Sequence, residues 1–210
     1  LFMTISHSQV LAPVQTWLPP WGLSTCIRAV LGRNTRGMAL PESQRWSHYP
    51  VGPICAINVL FEGTAELVAS TATGYEDAPR QQLPSITVSG PQTRPRTVLY
   101  GPEVHGVMVV LYPDAWSALT GVAVATLVDH VLDAHEVLPA DFLSACLRLS
   151  QAKSDDAGVQ AFFDDVLPLW QRSAAAVTQG HRHHHWLHSL TPWMEALALR
   201  AAATGWGRSL

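Results

Sequence analysis

The residue pattern changes at Pro113, and this change constrains the fold of the chain more than any other feature of the sequence. Before Pro113, short apolar or β-branched runs alternate with clusters of Gly, Pro, Ser and Asn, which is typical of antiparallel strands joined by turns. After it, apolar residues recur at helical spacing. The sequence therefore predicts an α+β chain: an N-terminal β-sandwich or cupin-like barrel over residues 1–112, then a C-terminal helical region with an αα-hairpin.

Six strands are predicted before Pro113, and 13 of the 15 prolines lie at or before Pro139. The strand ranges are 23–31, 55–61, 65–69, 85–89, 96–100 and 104–111. Residues 61–64 have the composition of a tight hairpin turn, in which Gly63 provides the permissive backbone. Residues 70–84 are polar and rich in turn-forming residues, which predicts an exposed loop.

Two amphipathic helices are predicted at residues 140–152 and 155–176, joined by Lys153 and Ser154 as in an αα-hairpin. Pro168 predicts a kink or an early end of the second helix. Shorter helices are predicted at 113–120, 122–129 and 190–204. The apolar stripe of the hairpin is a candidate dimerisation surface, because two-fold contacts commonly bury such a face. Its residues are Phe142, Leu143, Leu147, Phe162, Phe163 and Val166.

The composition allows a large core and argues against a free-standing nucleic-acid binder. Of 210 residues, 48% are hydrophobic and 14% charged, and the formal net charge is −3. A domain that held nucleic acid by itself would normally be basic. The three cysteines are far apart and odd in number, which is atypical of a disulfide framework or zinc cluster. The sequence shows no signal peptide and no apolar run of the roughly 20 residues that span a bilayer. We therefore expect a cytoplasmic protein without membrane contact.

Two stretches of the sequence resemble a known family. One comprises residues 89–95 (Ser-Gly-Pro-Gln-Thr-Arg-Pro), 106–115 and 119–121, and the other comprises residues 193–210, especially 196–202 and 207–210. With the order of β-rich region, helical hairpin, polar linker and final helix, they resemble the AraC/XylS family of transcription regulators. The first stretch is similar to the end of the sensor β-domain and the first sensor helix in one subgroup. The second is similar to the first helix of the family's helix-turn-helix and the entry to its recognition helix.

The resemblance implies a ligand-sensing and dimerisation domain at residues 1–177, a linker at 178–189 and the start of a truncated helix-turn-helix at 190–210. It implies a homodimer that binds an unidentified small-molecule effector, with no catalysis and no cofactor. Arg208 and Ser209 would belong to the DNA-binding part. Because the recognition helix enters the major groove and would end here after two residues, specific DNA binding is expected of the full-length protein only.

Candidate ligand-binding residues are polar or aromatic side chains within or beside the predicted strands, since such groups orient ligands in apolar pockets. Arg28 and Asn58 are polar residues inside otherwise apolar strands, and Cys55 is a lone thiol whose alternative role is that of a small buried hydrophobe. The candidates are Arg28, Trp46, His48, Cys55, Asn58 and His105.

Two other functions stay open at the level of the sequence. A facial triad of His48, Glu103 and His105 would make the chain a cupin-like metal-dependent enzyme, although the region contains no His-x-His pair. A dimerisation module without any ligand is the third possibility. The histidine run at residues 181–188 contains His184 and His188 at the i, i+4 spacing of metal ligands, but no carboxylate accompanies it, which favours a solvated linker. We therefore predict no metal site.

Overall fold

The structure, a computed structural model, describes residues 14–69 and 78–178, with side chains to residue 173. The strands in these ranges are β1 (Val14–Trp17), β2 (Ile27–Asn34), β3 (Trp46–Tyr49), β4 (Cys55–Glu62), β5 (Ala65–Val68), β6 (Arg80–Gln82), β7 (Ile86–Ser89), β8 (Arg96–Tyr100), β9 (His105–Leu111) and β10 (Val131–Asp133). The α-helices are α1 (Pro113–Thr120), α2 (Ala134–Val137), α3 (Ala140–Gln151) and α4 (Asp155–Thr178).

The strands form two antiparallel sheets, in the orders β1-β2-β9-β4-β7-β10 and β3-β8-β5-β6. The α+β class expected from the sequence is therefore confirmed. In the described ranges the two sheets stay separate and do not close into a barrel. Residues of both sheets line one common cavity, so the sheets lie face to face across it.

The six-stranded sheet has two different faces, because side chains alternate along each strand. One row across the sheet runs Val30, Val109, Ile57 and Val88, and every member is fully buried. These residues form one core with the helices, including Phe142 and Phe162. The adjacent row runs Leu31, Met108, Asn58 and Thr87 and lines the cavity instead. The sheet is thus the middle layer between the helices and the second sheet.

Local signals set the bounds of α1 as the sequence predicts. Pro113 occupies the first helical turn, where its missing N–H costs nothing and its fixed φ suits a helix. Gly121 ends the helix with φ of 71°, a left-handed conformation that glycine adopts without strain. Between them Trp116 is fully buried and helps to fix the helix against the sheet.

The hairpin predicted at residues 61–64 is wrong. Gly63 does have a positive φ, 91°, but β4 pairs with β7 and β9 whereas β5 pairs with β6 and β8. The turn therefore carries the chain from one sheet to the other. Turn composition specifies the local bend and not the partner of the strand that follows it.

The region after Pro113 is less purely helical than expected. Residues 122–129 form a short 3-10 turn, Val124–Leu127, instead of a helix, and the chain then returns to the sheet as β10 beside β7. The loop predicted at 70–84 contains β6, while residues 70–77 lie outside the described ranges. Helix α4 continues past Pro168, so the early end is also wrong, because its packing against α3 outweighs one missing backbone hydrogen bond.

No helix in the described ranges is both long and apolar enough to cross a membrane.

Asp133 caps helix α2, and we expect Asp133→Ala to lower the free energy of unfolding by about 1 kcal/mol at neutral pH. Its carboxylate accepts the backbone N–H of His135 at 2.9 Å. This hydrogen bond is the main cause that lowers the pKa of Asp133. A lowered pKa stabilises the fold above the unfolded value of about 3.9 and loses that effect as the pH falls through the folded value.

Urea unfolding at neutral pH and at about pH 3 checks this expectation. The difference between wild type and Asp133→Ala should shrink in acid. Asp133→Asn is the matched control, because asparagine also caps helices but has no carboxylate to titrate. A difference that stays constant or grows in acid would contradict the assigned role.

Candidate functional site

A cavity of about 240 Å³ lies between the two sheets. It exists because the facing strands carry small residues: Gly106, Ala56 and Ser89 on the six-stranded sheet and Ala65 on β5 all line it. The opposite face of the same sheet carries Val, Ile and Leu and is fully packed. Close packing is the rule in protein interiors, so a hollow of this size is a candidate binding site.

The cavity combines apolar walls with a few polar groups. Leu31, Leu60, Val98, Met108 and Val131 supply much of the apolar surface. The polar side chains are contributed by both sheets and by the residues before β7 and β8: Arg33, Tyr49, Asn58, Ser85, Thr87, Ser89, Gln92, Arg96 and Tyr100. Among the described residues that line the cavity there is no aspartate or glutamate. Such a site suits a small organic molecule held by few polar contacts.

Arg33, Tyr49 and Tyr100 form the most connected polar group at the cavity. The Arg33 guanidinium lies 4.7 Å from the centre of the Tyr100 ring, within the range of a cation–π contact. Its Nη1 donates to the Ser47 hydroxyl of β3 at 2.9 Å, so Arg33 links the two sheets. The hydroxyls of Tyr49 and Tyr100 lie 2.8 Å apart. Burial, with a further contribution from Tyr49, raises the pKa of Tyr100 well above its usual value, so this phenol keeps its proton.

Arg96 and Gln92 belong to neighbouring positions on the cavity wall. Burial lowers the pKa of Arg96, and the nearby Asp129 carboxylate opposes that shift. Arg96 Nη2 donates to the His130 carbonyl at 3.3 Å. Gln92 is 7% exposed, and its amide nitrogen donates to the Pro50 carbonyl at 3.2 Å. Its buried Oε1 has no hydrogen-bond partner among the described residues, so an acceptor is left unsatisfied beside the cavity.

Of the six residues predicted to bind ligand, only Asn58 lines the cavity, where its amide donates to the Thr87 hydroxyl at 3.4 Å. Trp46 and His48 point to the outer face of the four-stranded sheet, because they alternate with Ser47 and Tyr49 along β3. Trp46 packs there against Val68, Ala78 and Leu99. Arg28 is exposed and Cys55 is buried on the helix-facing side of β4.

His105 also lies away from the cavity and holds a helix in place. Its Nε2 is 2.9 and 3.0 Å from the two carboxylate oxygens of Asp155, the first residue of α4. The next residue, Asp156, accepts hydrogen bonds from Gln15 at 2.9 Å and from the Trp17 indole at 2.7 Å. The start of α4 is therefore tied to β9 and β1, in addition to the favourable interaction of acidic residues with the N-terminus of a helix.

The described side chains do not assemble the triad of a metal-dependent enzyme. His48 bonds to the Thr97 hydroxyl at 3.1 Å on the outer face, whereas His105 bonds to Asp155 on the helix side. Within residues 14–69 and 78–178, no group of three His, Cys, Asp or Glu side chains is placed to hold a metal ion. The histidine run at 181–188 lies outside the described ranges.

The three cysteines have the environment of structural residues. Cys26, Cys55 and Cys146 are free and buried. Burial raises the pKa of each thiol to about 12, and Asp114 adds to the effect at Cys26 and Cys55. Because the thiolate is the nucleophile, thiols that stay protonated at neutral pH are poor candidates for catalysis.

Most residues predicted for dimerisation lie inside the protomer. Phe142, Phe162, Phe163 and Val166 are at most 4% exposed and pack between α3, α4 and the sheet. Leu143 is half-buried, and Leu147 is 37% exposed. Dimerisation through the hairpin therefore stays a prediction for the two leucines, while the four buried residues stabilise the protomer.

The sequence interpretation missed Arg33, Tyr49, Gln92, Arg96 and Tyr100. A usable signal existed in β2, where Arg33 follows an apolar run with the alternation that places it on the same face as Leu31. Arg208 and Ser209, with the proposed linker from residue 179 onward, lie outside the described ranges. No protein-family model matches the chain, and no curated protein is significantly similar to it in sequence.

Proposed function

We propose that this chain is the effector-binding and dimerisation portion of an AraC-type transcription regulator, with a cupin-like sandwich that binds a small molecule without breaking bonds. The observation that carries the proposal is the hollow between the sheets, which joins apolar walls to a few polar side chains. A filled sandwich would have argued for a purely structural module. The resemblance of residues 89–95, 106–115, 119–121 and 193–210 to the AraC/XylS family supports the regulatory part of the proposal.

The contacts around α4 supply a route by which a bound molecule could act on the helices. Arg33 lines the cavity and pairs with Gly106, which adjoins the His105 that bonds to Asp155. Val14 also lines the cavity, and the next residue, Gln15, bonds to Asp156. A ligand that displaces β1, β2 or β9 therefore acts on the residues that hold the start of α4. Regulation follows if the ligand binds two such conformations with different affinity.

The regulator is proposed to act as a cytoplasmic homodimer and to contact DNA through the full-length protein. Dimers suit operators whose half-sites lie about one helical turn apart. Of the six residues predicted for dimerisation, Leu143 and Leu147 retain accessibility for a second copy.

Substitution of a cavity-lining residue by a larger one tests whether the cavity is empty. Ala56 is 4% exposed and lines the cavity. We expect Ala56→Leu to leave the free energy of unfolding unchanged or to raise it by about 0.5–2 kcal/mol, as cavity-filling substitutions do. The matched control is Ala145→Leu in α3, which faces the packed core at 0% exposure and should cost about 1–3 kcal/mol. Urea unfolding measures both, and equal losses would contradict an empty cavity at Ala56.

A fusion separates a sensing dimer from the other possible functions. The 210-residue chain is joined to a monomeric DNA-binding domain, and binding to paired and single half-sites is compared by mobility shift. Linked domains should bind paired sites roughly 100-fold or more tightly. Equal binding to both sites would reject dimerisation. The fusion could prefer paired sites while no compound in a small-molecule library changes that preference or raises the melting temperature. That result would identify the chain as a ligand-free dimerisation module.

A further inference from the structure

The charges around the cavity select one class of ligand, an inference that rests on the proposed binding function. Two guanidinium groups, those of Arg33 and Arg96, line the cavity. No carboxylate among the described residues lines it. Arginine keeps its positive charge in proteins, so the cavity carries positive charge. Arg33 is half-buried, and a partly buried charge without a counter-ion is costly, which favours an anionic occupant.

Arg33 is the cation that is left to bind such an occupant. The Asp129 carboxylate interacts electrostatically with Arg96 and forms an ion pair with Arg94 at 3.7 Å. Arg33 forms no ion pair with a carboxylate among the described residues. The Nη1 of Arg33 donates to the Ser47 hydroxyl, and Nη2 makes one long contact of 3.5 Å with the Gln44 carbonyl. The buried Nε has no hydrogen-bond partner among the described residues. The Nε and Nη2 groups form one edge of the guanidinium, the geometry that binds a carboxylate through two parallel hydrogen bonds.

The tyrosines beside Arg33 suit the same ligand group. In the pair formed by Tyr49 and Tyr100, one hydroxyl donates to the other, and the acceptor keeps a proton that it can give to a third group. Because Tyr100 lies under the Arg33 guanidinium, this donor and the cation are close together. An anion in the cavity would thus meet a positive charge and a hydroxyl donor at one end.

The size and walls of the cavity define the rest of the molecule. A cavity of 150 Å³ holds benzene, so the 240 Å³ found here accommodates about ten non-hydrogen atoms. Leu31, Leu60, Val98 and Met108 would contact an apolar ring or chain. We propose that the cavity binds a small organic monocarboxylate with an apolar body, and that Arg33 holds its carboxylate.

The experiment compares acids with neutral molecules of the same shape. The probes are hexanoate and 3-phenylpropanoate, their amides hexanamide and 3-phenylpropanamide, and the amine 3-phenylpropylamine. Each is titrated into the 210-residue chain at neutral pH, and binding is followed by calorimetry and by the melting temperature, which a ligand raises by mass action. We expect at least one acid to bind at least 10-fold more tightly than its amide, and the amine not to bind.

Variants locate the contact. Arg33→Met should weaken binding of the acid at least 10-fold, Arg33→Lys should restore part of it, and Arg96→Met is the matched control that should change it less. Ala56→Leu should abolish binding of acid and amide alike. If Arg33→Met does not fold, the comparison of acid with amide on wild type, together with Arg33→Lys, still decides the matter.

Three results would overturn the inference. Tighter binding of the amides or the amine would show that the cavity binds ligands of another class, and the proposed sensor function would survive. Equal binding of the acid to wild type and Arg33→Met would place the carboxylate elsewhere. Failure of every probe to bind would overturn the carboxylate class and would also count against a ligand-binding cavity.

Discussion

Replacement of Phe162 by alanine is expected to lower the free energy of unfolding by about 3–5 kcal/mol, the cost typical of deleting a buried phenylalanine ring. Phe162 is 0% exposed and belongs to the core between the helices and the six-stranded sheet. Its ring lies 6.1 Å from that of Phe142 in α3 and 6.3 Å from that of Phe163. Alanine removes these contacts and leaves a cavity at the junction of α3 and α4, where rigid neighbours limit collapse.

Urea unfolding at a fixed protein concentration measures this loss, since the stability of the proposed dimer would depend on protein concentration. Leu147→Ala is the matched control on the same hairpin. Leu147 is 37% exposed, so its truncation should change the stability by no more than about 0.5 kcal/mol in the monomer. A small effect of Phe162→Ala, with a large one of Leu147→Ala, would mean that the hairpin uses a different face from the one described.

Gly90→Ala is expected to cost about 1–3 kcal/mol or more, because backbone atoms occupy the space that a side chain would need. A Cβ at Gly90 would lie 2.6 Å from the carbonyl carbon of Leu127. Two backbone hydrogen bonds join the segments around this contact. The Gly90 N–H donates to the His130 carbonyl at 3.4 Å, and the Asp129 N–H donates to the Pro91 carbonyl at 2.9 Å. A shift that relieved the clash would therefore break hydrogen bonds as well.

The control for Gly90 is Gly52→Ala, on the partner side of the bridge between Gly52 and Gln92. The nearest atom to a Cβ at Gly52 is the Pro50 carbonyl oxygen at 4.0 Å, so alanine fits there. This substitution should be neutral or should stabilise the protein by about 0.4–1 kcal/mol, because alanine lowers the conformational entropy of the unfolded chain. Thermal unfolding distinguishes the two, and equal stability of both variants would refute a close approach at Gly90.

The same segment gives residues 90–94 a structural role. Asp129, which adopts a φ of 62°, accepts a hydrogen bond from the Thr93 N–H at 2.7 Å and another from the Thr93 hydroxyl. Its carboxylate also lies 3.7 Å from Arg94. Residues 90–94 thus hold the loop before β10 in place. Two of them, Gly90 and Gln92, also line the cavity, as does Arg96.

The sequence predicts six of the ten strands in the described ranges and misses β1, β3, β6 and β10, and the strand predicted at 23–31 begins four residues before β2. It also assigns several residues to the wrong face of their strand. The prediction for 96–100 matches β8, and those for 55–61 and 104–111 differ from β4 and β9 by one residue. The predicted ligand contacts Trp46, His48 and Cys55 each lie one position from a residue on the cavity-facing side of the same strand. These neighbouring residues are Ser47, Tyr49 and Ala56. A shift of one position in a strand moves a side chain to the opposite face.

The cause of this error differs between the strands. In strand β4, Cys55, Ile57 and Val59 pack against the helices, while Ala56, Asn58 and Leu60 line the cavity. The polar Asn58 therefore marks the cavity face, and Cys55, an odd number of positions away, lies on the opposite face. In β3 the larger aromatic, Trp46, covers the outer surface of the smaller sheet, and the phenol of Tyr49 turns inward.

The sequence alone was sufficient to predict the α+β class and both ends of α1, at Pro113 and Gly121. The fixed φ and missing N–H of proline and the left-handed conformation of glycine act within one helical turn, so they do not depend on distant residues. The separation of β4 from β5, the return of β10 to the sheet and the hollow beside Arg33 depended on the folded whole. Each of these arises from residues distant in sequence, such as Ala56, Ala65 and Gly106, whose small size leaves a space only after two sheets have been brought face to face.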